Sequence, residues 1–325
     1  MRGRLVNAAL VAVSLLAALW LAEQVMAWRH AADPLTEARK RDRELRLRSH
    51  RLAKQHPFGF TDLVRTEARA PGAYRIAVLG DSFIWGSGIP HEDVWSHRLE
   101  ERLRERYANV EVLSWGRNGW STLDQLAFLD EHGRAFEFDW LIVGLVENDP
   151  DIGRFARINA DARLRWIDEN LALPRRWFPR VTRLAGGAWL DRVHGTQNDE
   201  YQRWLDDLYT PENLAIYAEV LRDLAALARE LEVGLTVAMT PSNRFEGRTA
   251  NAFAKLEPLV RNAGIDVLNL LPAARERFDG YPDTLLRASP VNGHPGPVMT
   301  QFFADEVAAY LVEKPGLVAG LQPRP

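Results

Sequence analysis

Cysteine is absent from this 325-residue chain, and its net charge is only −3. Without thiols the protein forms no disulfide and has neither a cysteine nucleophile nor a thiolate metal ligand. The absence of cysteine does not indicate in which cellular compartment the protein resides. Three signatures are missing as well: the G-x-S-x-G nucleophile elbow, the Walker A phosphate loop and the H-E-x-x-H zinc motif. We therefore expect no metal, no cofactor and no nucleic-acid partner.

One long apolar run lies near the N-terminus. Residues 5–22 carry no charge, and Asn7 and Ser14 are their only polar members. Such a run reaches the lower limit for a helix that spans a bilayer and exceeds the usual core of a signal peptide. We predict a membrane anchor over residues 1–28. A signal peptide with a cleavage site at Val25-Met26-Ala27 is the alternative.

A charge-dense segment follows the anchor. Residues 33–55 interleave acids and bases, with Leu45, Leu47 and Leu52 as a thin apolar pattern. This composition favours a solvated helical stalk over a lipid-binding patch. We assign residues 29–73 to this stalk and to a lead-in that ends at a Pro-Gly boundary.

Strand and helix patterns alternate from residue 74 onward. The predicted strands are 75–79, 110–113, 139–145, 234–239 and 265–269, and the predicted helices are 93–107, 122–134, 212–231, 249–263 and 297–312. Helices between strands predict an α/β domain over residues 74–314, with three layers around a doubly wound, five-stranded parallel sheet. Residues 315–325 form a C-terminal tail.

The first strand ends in Gly80-Asp81-Ser82-Phe83. A serine there stands on the edge where open α/β sheets bind ligands, which suits a nucleophile. The alternative is that Ser82 caps the next helix. Asp81 is predicted to point away from the reacting group and to tie down the turn.

Three later blocks strengthen the first interpretation. Gly119 follows the second strand, Asn148-Asp149 closes the third, and His294-Pro295 precedes the last helix, which we expect Pro295 to open. In this order the blocks resemble the SGNH, or GDSL-type, serine hydrolases, although Val146 replaces a glycine that is usual there.

The resemblance implies a flavodoxin-like SGNH fold and a set of roles. Ser82 would attack an acyl carbonyl and His294 would accept its proton, while the backbone amides of Ser82 and Gly119 and the side chain of Asn148 would bind the oxyanion. It also implies an extracytoplasmic catalytic domain, in the periplasm or at the cell surface.

The histidine block departs from the family. An aspartate usually stands three residues before the histidine, but Val291 occupies that position and Asn292 follows it. Three explanations remain open. Asn292 orients His294 weakly; a carboxylate from elsewhere, such as Asp149, Asp151 or Asp283, reaches it; or the site binds without turnover.

Residues 151–211 are an insertion that a minimal fold does not need, and we predict that they form a lid. The insertion carries four tryptophans, and arginines lie among them: Trp166, Trp177, Trp189, Trp204, with Arg154, Arg157, Arg163, Arg165, Arg175 and Arg176. Trp85 and Trp120 are candidate substrate-pocket residues that could stack on a sugar. The sequence thus predicts a membrane-anchored esterase for a small acyl ester, with an acylated carbohydrate as the candidate substrate. An O-acetyltransferase on polysaccharide and a non-catalytic binding protein with a degenerate site are the alternatives.

Overall fold

A computed structural model describes residues 35–153 and 197–324, together with residues 7, 10–11, 13–21 and 24–25 near the N-terminus. The rest of the predicted anchor lies outside the described residues. So does most of the predicted lid, with Trp166, Trp177, Trp189 and the arginines named above. Among the residues that are described, no helix is both long and apolar enough to cross a membrane.

The central sheet has five parallel strands in the order β2-β1-β3-β4-β5. The strands are β1 (Tyr74–Gly80), β2 (Val110–Gly116), β3 (Trp140–Leu145), β4 (Gly234–Met239) and β5 (Asp266–Asn269). This is the flavodoxin-like strand order, so the predicted doubly wound sheet is confirmed. A two-stranded antiparallel hairpin, β6 (Arg287–Ser289) and β7 (Asn292–Pro295), lies outside it.

Helices surround the sheet and connect its strands. In chain order they are α1 (Thr36–Gln55), α2 (Ser82–Trp85), α3 (Trp95–Arg104), α4 (Thr122–Glu131), α5 (Gln197–Leu208), α6 (Pro211–Glu230), α7 (Arg248–Asn262), α8 (Leu271–Arg277), α9 (Asp283–Leu286), α10 (Pro297–Leu311) and α11 (Pro315–Val318).

The alternation of side chains along β1 builds the three layers. Ile76 and Val78 point into a core shared with α3 and α10, whereas Ala77 and Leu79 point into a core shared with α4, α6 and α7. All four side chains are fully buried. Burial of a valine, leucine or isoleucine contributes about 1.5–3 kcal/mol, so both faces of the strand are held firmly.

The order of the strands places two sequence blocks side by side. The direction of winding reverses between β1 and β3, and ligands bind in the crevice at the carboxyl ends of such strands. Gly80 of β1 is in register with Gly144 of β3 at that edge. The segments that follow, with Ser82 after β1 and Asn148 after β3, therefore leave the sheet next to each other.

Helix α1 is mostly exposed, as the predicted helical stalk requires, but one face of it packs on the domain. It contacts β6, and both Asp42 and Ser49 on it are buried. His50 packs its ring edge against Trp85, with 5.0 Å between ring centroids. The sequence does not indicate this packed face because its buried positions, Asp42 and Ser49, are polar side chains, which hydropathy assigns to solvent.

Candidate active site

Ser82 is the first residue of α2, directly after β1. Asp81 caps this short helix, because its Oδ1 accepts a hydrogen bond from the Phe83 backbone N–H at 2.9 Å. Its Oδ2 accepts from the Ser82 Oγ at 3.1 Å. Asp81 thus ties down the turn as predicted, but it does not point away from the serine.

His294 reaches Ser82 from the hairpin. It lies on β7, which pairs with β6, and its Nε2 lies 3.0 Å from the Ser82 Oγ. Helix α10, which follows this block, starts at Pro297, with Gly296 as its N-cap. The expectation that Pro295 opens this helix is therefore wrong: Pro295 ends β7, and Pro297 occupies the first helical turn, where a missing N–H costs nothing.

Asn292 lies behind the histidine. Its Oδ1 lies 2.7 Å from His294 Nδ1, and its Nδ2 donates to Asp42 Oδ1 at 2.7 Å and to the Ser87 carbonyl at 3.0 Å. Of the three explanations for the missing aspartate, this geometry matches the first, in which Asn292 orients His294. A carboxylate from another part of the chain also contacts Asn292, but it is none of the three that the sequence suggested.

The three named carboxylates have other partners. Asp149 accepts from the Val146 N–H at 2.6 Å, and Asp151 accepts from the Gly153 N–H at 2.9 Å. Asp283 forms an ion pair with Arg287. The carboxylate connected to His294 through Asn292 is Asp42 of α1.

The two other predicted oxyanion donors face the same cleft. Gly119 has a backbone φ of +76°, in the left-handed region that glycine adopts readily, and Asn148 lies in the turn after β3. Asp149 connects them: besides the Val146 N–H it accepts from Thr122 Oγ1 and Gln125 Nε2 of α4, each at 3.0 Å. The Asn148 turn is therefore fixed to the helix that follows Gly119.

Burial sets the charges at the site. It lowers the pKa of His294 to about 4, with a smaller lowering by the charge of Arg46 and an opposing effect of Asp42. His294 is therefore neutral at pH 7 and able to accept a proton. Burial raises the pKa of Asp81 to about 6, and burial together with the negative charge of Asp81 raises the pKa of Asp149 well above its usual range.

These groups line a cleft of about 400 Å³. Its walls are Arg46, Asp81, Ser82, Phe83, Gly119, Val146, Glu147, Asn148, Ser242, Val291, Asn292, Gly293 and His294. The predicted pocket residues Trp85 and Trp120 do not belong to it. Trp85 is only 3% exposed, and the Trp120 ring packs on Phe60 and Phe128 in the core.

Asp42 and Arg46 are site residues that the sequence does not predict. Asp42 stands 250 positions before Asn292, so no local motif spacing connects the two. The sequence carries only a weak signal: Ala38, Leu45 and Leu52 recur at the spacing of one helix face, and Asp42 and Ser49 fall on that same face.

No family model matches the chain, and no curated protein matches it by sequence. Solved structures similar to it include a lipase/acylhydrolase from Enterococcus faecalis, with 15% identity over 78% of this chain and 99% of that one and a TM-score of 0.44. An acetylxylan esterase from Geobacillus stearothermophilus has 12% identity over 75% and 95% and a TM-score of 0.46. A member of the lipolytic protein G-D-S-L family from Veillonella parvula has 11% identity over 74% and 100% and a TM-score of 0.44.

Proposed function

We propose that this protein is a serine ester hydrolase that acts through an acyl–Ser82 intermediate. The observation that carries the proposal is the 3.0 Å contact between Ser82 Oγ and His294 Nε2 on the wall of a cleft that Gly119 and Asn148 also line. A nucleophile, its base and hydrogen-bond donors for a developing negative charge are the components of acyl transfer.

The reaction follows from these positions. Ser82 Oγ attacks the acyl carbon as its proton passes to His294 Nε2, and the tetrahedral oxyanion accepts hydrogen bonds from the backbone N–H groups of Ser82 and Gly119 and the Asn148 amide. The imidazolium then returns the proton to the departing alcohol oxygen. Water, deprotonated by His294, releases the acid and regenerates Ser82.

The lining of the cleft supports a small acyl group on a polar alcohol. A volume of about 400 Å³ lies at the small end of ligand pockets. Arg46, Glu147 and Asn148 offer charged and amide groups along it, whereas Phe83, Val146 and Val291 are its larger apolar members. An O-acyl carbohydrate belongs to this substrate class, because its hydroxyl groups can hydrogen-bond to such walls.

Covalent labelling tests the proposal. We expect a fluorophosphonate to add one phosphonyl group to the folded protein, on the peptide that contains Ser82, because only an activated serine attacks this reagent readily. Intact mass and peptide mapping measure the adduct. Heat-unfolded protein is the control and should stay unlabelled. A folded protein that resists labelling would favour a binding role for the cleft.

A second experiment distinguishes a transferase from a hydrolase. The acyl-enzyme formed from an ester substrate is incubated with a sugar acceptor, and the products show whether the acyl group passes to the sugar or to water.

We also propose that residues 5–22 attach the protein to a membrane, with the catalytic domain outside the cytoplasm. Support for the attachment comes from the sequence of this run, which has no charged residue. The side of the membrane is proposed from the resemblance of the motif blocks to SGNH hydrolases.

Removal of residues 1–28 tests the anchor and should give a water-soluble, folded and active protein. The two cores flanking the sheet are built from residues 60–321, and α1 with Asp42 stays in the shortened chain. Fractionation, circular dichroism and ester hydrolysis measure the outcome. If the shortened protein aggregates while the full chain is monodisperse in detergent, residues 5–22 pack on the domain and the anchor assignment is wrong.

A further inference from the structure

We propose that Asp42 on α1 is a positioning residue for His294 that acts through Asn292. The series Ser82–His294–Asn292–Asp42 would then replace the direct aspartate that the histidine block lacks. This inference rests on the proposed roles of Ser82 and His294, and it makes the helix before the catalytic domain a part of the site.

The amide of Asn292 is a polar connector with two different ends. Its Nδ2 contacts two groups that only accept hydrogen bonds, Asp42 Oδ1 at 2.7 Å and the Ser87 carbonyl at 3.0 Å. The Oδ1 must therefore face His294 Nδ1, at 2.7 Å, and accept a hydrogen bond from its N–H. With the proton on Nδ1, Nε2 is able to accept the single Ser82 hydroxyl proton, for which Asp81 Oδ2 is the other acceptor, as a general base requires.

Asp42 can also act through its charge. Asp42 is 8% exposed, and its second carboxylate oxygen forms an ion pair with Arg46 Nε at 2.9 Å. Its negative charge raises the pKa of His294, against the lowering by burial and by Arg46. It therefore favours the imidazolium that forms as Ser82 attacks, across one intervening amide.

The contact depends on Gly88, in the loop after α2. This residue has a φ of +86°, and a Cβ at its position would lie 2.0 Å from Asn292 Nδ2 and 2.7 Å from Asp42 Oδ1. Only glycine leaves room for the carboxylate and the amide to meet here. The contact thus depends on three separate segments of the chain, which carry Asp42, Gly88 and Asn292.

Two substitutions of Asp42 separate orientation from charge. Asp42→Asn keeps an oxygen that accepts from Asn292 but removes the charge, and we expect kcat to fall about tenfold. Asp42→Ala removes both, and we expect a fall of about 10- to 100-fold, below the full contribution of a general base. KM should change less than twofold, because Asp42 does not line the cleft. Glu44→Gln, the same carboxylate-to-amide change at an exposed position of α1, is the matched control and should leave kcat unchanged.

Exchange of the two side chains gives a sharper test. Asn292→Asp alone places a second carboxylate where Nδ2 now meets Asp42 Oδ1, so repulsion should displace the connector and lower kcat. In Asp42→Asn/Asn292→Asp the new carboxylate can accept from both His294 and the new amide. We expect this double variant to exceed Asn292→Asp in kcat by about tenfold.

Nitrogen NMR of His294 tests the inference without any substrate. The wild-type protein and the Glu44→Gln variant should carry the neutral ring proton on Nδ1, Asp42→Ala should show a mixture of tautomers, and Asp42→Asn should lower the pKa of His294 further. Suppose that the wild type hydrolyses esters and that both Asp42 variants keep its kcat and its His294 tautomer. This result would overturn the role of Asp42 and leave the proposed function standing. So would a loss confined to KM, or a double variant no better than Asn292→Asp. A wild type with the Nδ1 tautomer but no esterase activity would instead overturn the proposed function.

Discussion

Ser82→Ala should abolish the hydrolysis of a short-chain p-nitrophenyl ester, with kcat falling by about 10⁴-fold or more. The hydroxyl at 3.0 Å from His294 Nε2 is the proposed attacking atom, and alanine offers nothing in its place. Ser82 is only partly buried and begins a four-residue helix, so we expect the melting temperature to change by less than about 3 °C. Steady-state kinetics and a thermal melt measure the two effects.

Ser242 supplies the matched control for this variant. It lies on the same cleft, but its Oγ faces Thr249 Oγ1 at 3.0 Å. Ser242→Ala should therefore still form the acyl-enzyme and turn over. If Ser82→Ala keeps its activity, or if both variants lose it equally, Ser82 is not the nucleophile and the proposed mechanism fails.

The sheet could be predicted from the sequence because its strands are short apolar runs between turn residues. The predicted strand 234–239 has the bounds of β4. The second strand extends three residues beyond the prediction, to Gly116, since Ser114 and Trp115 pair with β1 and are buried. Polar and glycine residues ended the apolar pattern before backbone pairing ended.

The hairpin β6–β7 could not be predicted in the same way. Its strands have three and four residues, and the second is Asn292-Gly293-His294-Pro295, which has no alternating apolar pattern. Pairing of Arg287 with Pro295 and a hydrogen bond from the Gly296 N–H to the Leu286 carbonyl at 2.7 Å hold it in place. Tertiary contacts, more than local propensity, determine this element.

The order of the motif blocks located Ser82, Gly119, Asn148 and His294, because parallel strands bring their carboxyl ends to one edge. The structure brings these residues together, and their chemical roles stay predictions. The partner of Asn292 could not be found from spacing, since Asp42 belongs to a helix whose composition resembles a solvated stalk. The burial of a carboxylate on such a helix can be recognised only from a structure that shows its hydrogen-bond partner.

Asn148→Ala has the second largest expected effect, a fall in kcat of about two to three orders of magnitude, which is typical for the loss of one oxyanion donor. The amide gains most from its hydrogen bond when negative charge has developed on the substrate oxygen, so KM should change much less. The Asp149 carboxylate, held by the Val146 N–H, Thr122 and Gln125, keeps the turn in place in the variant. Steady-state kinetics on the p-nitrophenyl ester and the rate of fluorophosphonate labelling measure the loss.

Asn148→Asp distinguishes an oxyanion role from a structural one. Aspartate has the shape of asparagine and suits a turn equally well, so a purely structural Asn148 would tolerate Asp better than Ala. If Asn148 is an oxyanion donor, Asp should instead lower turnover more than Ala does, because a carboxylate at this position has no N–H and repels the developing negative charge. We therefore expect turnover to decrease in the order Asn, Ala, Asp at position 148. A variant series in which Asp is milder than Ala, or in which KM rises while kcat holds, would assign Asn148 to the turn or to substrate binding instead.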